Sequence, residues 1–372
     1  ETNLNMSLTQ FERNHNFVVS ATDKNVSGTR LIARPSIAIP FEKSYGYIKP
    51  KLTMNLMSYE LEGGSTDSKS MAIPSLSVDG GVYLDKKLTL GGTSFVQTLE
   101  PRIFYSYTPF RNQETLPMFD TALTDLNLES LFIDNQFVGG DRVMDSNQFT
   151  IAATTRFIDD SGYERLNSTL AQRFYMSDRK VLKEAQFLNS VVQSDSSDLF
   201  LTATAYINKA LKVDSAIQYN PDESITNRAT LRTRYSPQPG KLIDVSYRLI
   251  RNLTASDNDI KQFNIAGQWP LGGGWSSIGR YNYDIKKSSA VESLGGFEYD
   301  GGCWASRIVL NRLSLATTEK ANYTLFMQIE LGGLGSLGSS NDANLFDVLD
   351  RNVPGASFAS GIPDQYRKEN LN

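Results

Sequence analysis

Polar and apolar side chains alternate along most of this chain with a period of two. Leu199, Leu201, Ala203, Ala205 and Ile207 interleave with Phe200, Thr202, Thr204 and Tyr206. Further on, Ile225, Asn227, Ala229, Leu231, Thr233 and Tyr235 oppose Thr226, Arg228, Thr230, Arg232 and Arg234. Ile243, Val245, Tyr247 and Leu249 then oppose Asp244, Ser246 and Arg248. Phe263 to Trp269 and Trp275 to Ile285 continue the pattern, and the last clear run sets Tyr323, Leu325, Met327, Ile329 and Leu331 on one face. Residues i and i+2 of a strand share a face, so each run predicts a strand with one apolar and one polar side. Helical patterning is confined to 124–132, in the longest gap between strands, and to 344–353 near the C-terminus.

Any antiparallel sheet with one wet side alternates in this way, but three features narrow the class. The runs are about 9 to 14 residues long, against roughly 5–6 in globular proteins and about 9–11 for tilted membrane strands. Aromatic residues (Tyr219, Tyr235, Trp269, Trp275, Tyr299) stand at strand ends, where an interfacial girdle places them. Connections also alternate in length: 41–45, 159–162, 209–210, 270–274 and 300–302 are short, whereas 17–29, 109–147, 177–198 and 251–260 are long. Outer-membrane barrels have short periplasmic turns and long extracellular loops. The chain is therefore expected to be all-β: an antiparallel transmembrane outer-membrane β-barrel portion of roughly 16 strands. It would occupy residues 1–331, with long extracellular loops at 109–147 and 177–198 and both ends periplasmic. The Gly/Ser-rich run 332–340 has linker composition, which makes 332–372 a periplasmic C-terminal tail.

Composition sharpens this reading mainly by exclusion. With 37 Lys+Arg against 41 Asp+Glu and a net charge of −4, nothing suggests nucleic-acid binding, which wants a basic patch. No stretch approaches the roughly 18 uninterrupted apolar residues of a membrane helix, while barrel strands carry only a weak alternating signal. The single histidine, His15, and the lack of HExxH, CxxC, GxSxG or phosphate-cradle motifs argue against an enzyme and against a cofactor. The chain opens at Glu1 without a Met or an apolar leader, as a processed chain or a fragment would.

Some residues still invite a role. The lone Cys303 can be a buried thiol, an exposed thiol or half of a bridge to something outside this sequence. Asp120, Asp125, Glu129, Asp134, Asp141, Asp145, Asp257 and Asp259 are numerous enough to hold a cation or act in pairs as acid and base, but read first as solvated loop charge. Arg228, Arg232, Arg234 and Arg248 share the polar side of adjacent strands. They can bridge carboxylates of that face or touch phosphorylated sugars passing through the barrel. Gly267, Gly279, Gly295, Gly296, Gly332 and Gly333 gather in the last strands, where glycine permits bending and close approach. A general diffusion porin fits the same pattern, and a barrel protease or lipase would need clustered carboxylates or a Ser/His pair at the rim.

A longer signal lies in the order of short motifs. Leu99-Glu100-Pro101-Arg102, Pro117-Met118-Phe119-Asp120, Leu131-Phe132, Gly140-Asp141-Arg142 and Asp145-Ser146-Asn147-Gln148 resemble the LptD family of lipopolysaccharide-assembly proteins. The ending Gln328-Ile329-Glu330-Leu331-Gly332-Gly333, followed by Asp347-Val348-Leu349 and Val353-Pro354, is similar too. The resemblance covers nearly the whole chain. It implies a larger barrel whose first strands, and a periplasmic N-terminal domain, lie outside this sequence. It implies as partners an LptE-like plug lipoprotein, periplasmic lipopolysaccharide-bridge proteins, the barrel-assembly machinery and lipopolysaccharide itself. Sugars would enter the lumen while acyl chains leave through a seam between the first and last strands. Tyr323, Leu325, Met327, Ile329 and Leu331 would then form one lip of the seam. The family carries an adjacent cysteine pair in a late periplasmic turn, bridged to the N-terminal domain. Here the pair reads Gly302-Cys303, so the resemblance implies a single bridge from Cys303.

Overall fold

The computed structural model describes residues 1–12, 27–62, 68–184, 194–251, 259–314, 321–331, 335–338 and 353. His15, Asp257, Gly332, Gly333 and the 344–353 segment apart from Val353 lie outside them. Among the described residues sixteen strands have eight residues or more. They are β1 (Thr2–Phe11), β2 (Ser27–Ala38), β3 (Gly46–Glu62), β4 (Ser68–Val82), β5 (Thr93–Thr108), β6 (Ser146–Asp159), β7 (Glu164–Tyr175) and β8 (Leu199–Tyr206). There follow β9 (Leu211–Asn220), β10 (Ile225–Gln238), β11 (Lys241–Ile250), β12 (Ile260–Gly272), β13 (Trp275–Asp284), β14 (Ser289–Asp300), β15 (Trp304–Ser314) and β16 (Ala321–Leu331). Among the described residues helix is limited to one turn at Ser130–Phe132, inside the patterned 124–132 stretch, and to α1 (Lys180–Glu184).

The chain divides into two compact units: Glu1–Gly162, Ser168–Leu201 and Asn220–Asp222 in the first, Tyr163–Asn167, Thr202–Tyr219 and Glu223–Asn372 in the second. In the first unit, β1 to β6 pair as antiparallel neighbours in chain order. The apolar side of this sheet is open: Leu52, Leu56, Leu76, Ile103 and Ile151 are all exposed. On the other side Asn55, Met57 and Tyr59 of β3 and Ile73 and Ser75 of β4 are buried. What buries them is the 109–145 connection. Its Leu116 and Val143 pack on Met57, Tyr59 and Ile73, and its Leu131 packs on Ala152, Ala171 and Phe200. Phe137 and Met144 meet Val181 and Leu182 of α1. Each such apolar side chain contributes roughly 1.5–3 kcal/mol when fully buried, so this loop is a packed layer of the unit.

In the second unit, β10 to β16 again pair antiparallel in order. Burial alternates residue by residue. Leu242 and Asp244 are buried while Ile243 is exposed; Arg307 and Val309 are buried while Ile308 and Leu310 are exposed; Gln328 and Glu330 are buried while Met327 and Ile329 are exposed. The exposed side is apolar and the covered side largely polar, the reverse of a soluble sheet, and so large an exposed apolar face needs a lipid or protein partner. Rings crowd one end of that face. Tyr299 lies 5.0 Å from Trp275 and 5.2 Å from Trp304, and the Lys241 ammonium sits 5.6 Å from the Trp269 ring. This is the end of the short turns, including one at Gly272, Gly273 and Gly274, whose φ of 95°, 58° and 84° only glycine adopts without strain. Val353, the single described residue of the tail beyond 338, is fully buried on the covered side against Leu242, Ala266, Ile278, Leu294 and Val309.

Candidate functional site

The four arginines singled out above lie on β10 and β11 of the second unit. Register places Arg232 opposite Ser246, Arg234 opposite Asp244 and Thr230 opposite Arg248. Opposed residues share a face, so these side chains all project from the polar side. Arg232 Nε meets the two Asp244 oxygens at 2.7 and 3.0 Å, and Arg234 Nε donates to the same carboxylate at 3.0 Å. Arg248 Nη2 donates instead to the neutral Oε1 of Gln262, at 2.7 Å. The carboxylate-bridging alternative holds for Arg232 and Arg234, which share one buried carboxylate, while Arg248 faces an amide.

Arg232, Asp244, Arg248 and Gln262, but not Arg234, line a recess of about 280 Å³ together with Asn264, Asn282 and Arg280. Three arginines (Arg232, Arg248, Arg280) and one acid (Asp244) are among its lining residues. Arg280 was not foreseen. Its Nε donates to Asn264 at 2.7 Å and its Nη1 to Glu292 at 3.1 Å, which fixes its guanidinium on the recess wall. The signal for it was the alternation of β13, which puts Ile278, Arg280 and Asn282 opposite Gly279, Tyr281 and Tyr283. Arg228 lies higher on β10, exposed and opposite Ile250, outside the recess. Rigid planar donors of this kind recognise phosphate and carboxylate oxygens bidentately.

The loop carboxylates depart from expectation. Asp125 and Glu129 are exposed, but Asp141 is fully buried and Asp145 nearly so. Asp141 accepts hydrogen bonds from Arg30 Nη1 (2.7 Å), Tyr59 Oη (3.2 Å), the Phe119 and Asp120 amides (2.7 and 3.1 Å) and Thr121 Oγ1 (3.1 Å). Arg30 Nη2 also reaches Asp120 at 2.7 Å. That contact holds the Asp120 carboxyl below its ordinary pKa range. Asp134 pairs with Lys51 at 2.8 Å, and Asp145 accepts the Lys180 and Val181 amides, both at 2.9 Å, at the start of α1. A loop that folds back over the sheet needs buried acceptors for its own amides, and hydropathy alone does not report that need.

Of the remaining candidates, Cys303 is an exposed free thiol in the turn between β14 and β15, after Gly302 at φ 79°. Tyr323, Leu325, Met327, Ile329 and Leu331 are all exposed on the apolar side of β16, opposite Arg312, Leu310, Ile308, Ser306 and Trp304. Residues 335–338 pair back onto 328–331.

The family model described as LPS transport system D, LptD, matches residues 1–275. This chain belongs to the LptD family. Its antiparallel sheets, apolar on the exposed side, are those of an outer-membrane β-barrel protein. The LPS-assembly protein LptD of Thiobacillus denitrificans is 38% identical over 330 residues, which are 88% of this chain and 43% of that protein. That of Chromobacterium violaceum is 38% identical over 335 residues, 88% and 41% respectively. The chain thus spans about two fifths of the length of these LptD relatives. Among solved structures, a ferric enterobactin receptor of Pseudomonas aeruginosa aligns over 81% of this chain and 54% of its own, at 9% identity and a TM-score of 0.35. Of the LptD motif residues, Asp120 and Asp141 tie the long loop to Arg30 and Tyr59 of β2 and β3, Gly140 and Arg142 bond within the loop, and Asp145 anchors it to α1.

Proposed function

We propose that this chain is the membrane portion of an outer-membrane translocon that inserts lipopolysaccharide into the outer leaflet without a chemical step. The observation that carries this reading is the arginine-rich recess on the polar face of β10–β13, in a chain related to LPS-assembly proteins. A phosphorylated sugar offers paired anionic oxygens to Arg232, Arg248 and Arg280, while Asn264 and Gln262 add neutral hydrogen bonds. Acyl chains gain nothing from a wet polar interior, so they leave sideways, with the exposed row Tyr323–Leu331 of β16 as one lip of the opening. The short-turn ends are periplasmic and the long loops extracellular; a plug lipoprotein occupies the lumen, bridge proteins deliver the substrate, and the barrel-assembly machinery installs the protein. Cys303, in a short turn, faces the oxidising periplasm where disulfides form and bridges to the remainder of the parent protein.

The test is charge reversal in the full-length parent. Arg232→Glu with Arg248→Glu should lower newly inserted surface lipopolysaccharide by at least tenfold while the folded barrel still accumulates in the membrane. Wild-type delivery by the double variant would overturn the reading, as would a purified parent that conducts ions as a partner-free open pore.

A further inference from the structure

A second recess, of about 520 Å³, lies in the first unit between the polar side of β3–β7 and the loop that covers it. Its volume is in the range of small-ligand sites. Its chemistry differs from that of the arginine-rich recess. The wall gives Glu100, Arg102 and Arg156, the rings are Tyr47, Tyr83 and Phe132, and Phe132 hangs from the loop as part of the roof.

Both arginines are already matched, and Glu129 of the loop adds an exposed carboxylate to the lining. Arg156 Nε donates to Glu100 at 3.0 Å. Arg102 grips Asp79 with two hydrogen bonds of 2.8 and 2.6 Å, and its guanidinium stacks 3.9 Å from the centre of the Phe132 ring. Tyr47 donates to the same Asp79 at 3.2 Å, and its ring lies 6.1 Å from that of Tyr83. None of these groups is sealed off: Arg102 and Arg156 each keep 37% and Glu100 24% of the side-chain surface open. The roof is fixed as well. Thr150 Oγ1 donates to the Leu131 carbonyl and Arg173 Nη2 to the Ser130 carbonyl, each at 2.7 Å, and Phe132 meets Phe104 edge-on at 6.3 Å.

A phosphate here would meet Glu129 and find each arginine already on a carboxylate, whereas Arg248 of the β10–β13 recess faces a neutral amide. A neutral ring meets neither obstacle. Hydroxyl groups can bridge a carboxylate and a guanidinium without disturbing them, while the C–H face of a pyranose buries apolar area on an aromatic ring. We propose that this recess is a subsite for neutral sugar rings, complementary to the phosphate-binding character of the β10–β13 recess. The inference rests on the reading that a glycolipid, phosphorylated on its inner sugars and neutral on its outer ones, passes these polar faces.

Photo-crosslinking in the full-length parent in native membranes tests it. p-Benzoylphenylalanine replaces Tyr83 in one strain and Ser246, on the arginine-rich recess, in another. Each is irradiated in cells making complete lipopolysaccharide and in cells whose lipopolysaccharide stops at the phosphorylated inner sugars. We expect adducts at both positions with the complete glycolipid, and at least a tenfold loss at position 83 alone with the truncated one. Adducts at 246 but none at 83 would overturn the subsite and leave the translocon reading intact. Equal yields at 83 with both glycolipids would overturn its preference for neutral sugars. No adduct at either position would sink the translocon reading and the subsite with it.

Discussion

Asp141 and Arg30 show how much a single pair of side chains organises. Both are buried, and Asp141 accepts from a guanidinium, a phenol, a hydroxyl and two amides. Removing one member of a buried pair strands the other, a loss of about 3–5 kcal/mol. Arg30→Gln should therefore free the 109–145 loop, read as rapid trypsin cleavage within it in folded parent protein. Gly139 adds a backbone constraint: its φ is 79°, and a Cβ there would lie 2.5 Å from the Asp120 carbonyl oxygen. Gly139→Ala should cost about 1–3 kcal/mol, visible as a lower midpoint in thermal unfolding. Asp120 sets a pH limit. Hydrogen bonding to Arg30 lowers its folded pKa, so its stabilisation is complete above the unfolded carboxylate pKa and disappears as pH falls through the folded one. The loop should stay protected from an acid protease in mildly acidic buffer and open only below the usual carboxylate range. Asp120→Asn should flatten that dependence, and unchanged pH behaviour in this variant would refute the assignment.

A strand of this protein has two solvents. In β16, Leu325 is exposed on the apolar side while Thr324, one residue earlier, belongs to the polar one. A lysine at the bilayer midplane of a barrel's lipid face costs about 2–4 kcal/mol, and the polar face imposes no such penalty. Leu325→Lys should sharply reduce the folded fraction after refolding into lipid vesicles, and Thr324→Lys should not. Equal yields would mean that the exposed face of β16 does not meet lipid. Register also organises the glycines: Gly267 opposes Gly279, which opposes Gly295, so three adjoining strands lack side chains in one row. Sequence showed that these glycines cluster, and pairing shows that they align.

At the scale of the molecule the two polar recesses differ in electrostatics, one rich in arginine around Asp244 and one with both arginines ion-paired and a further carboxylate, Glu129, on its lining. Each belongs to its own unit. The exposed Cys303 thiol lies where a partner segment could reach it. In the full-length parent, Cys303→Ser should abolish a reductant-sensitive shift in gel mobility. The same mobility in wild type and variant, with and without reductant, would dismiss an interdomain bridge.

The sequence by itself determined the long strands. A period of two persists only where one side of each strand meets a different medium from the other, so side-chain order alone reveals the long strands, their facing and the polar position of Arg232, Arg234 and Arg248, while short strands such as Leu84–Leu90 carry too little of the pattern to be read. It also carried the family, because the loop motifs keep their order. Tertiary structure decided what those motifs do. Asp120, Asp141 and Asp145 look like surface charge in a hydrophilic stretch, since composition cannot tell an acid facing water from one that accepts buried amides. Arg30, 111 residues before Asp141, can be matched to it only by folding. The same holds for Arg280 beside Arg248 and for Phe132 over Arg102: contacts between distant strands and loops arise from register and packing, and local patterning does not encode either.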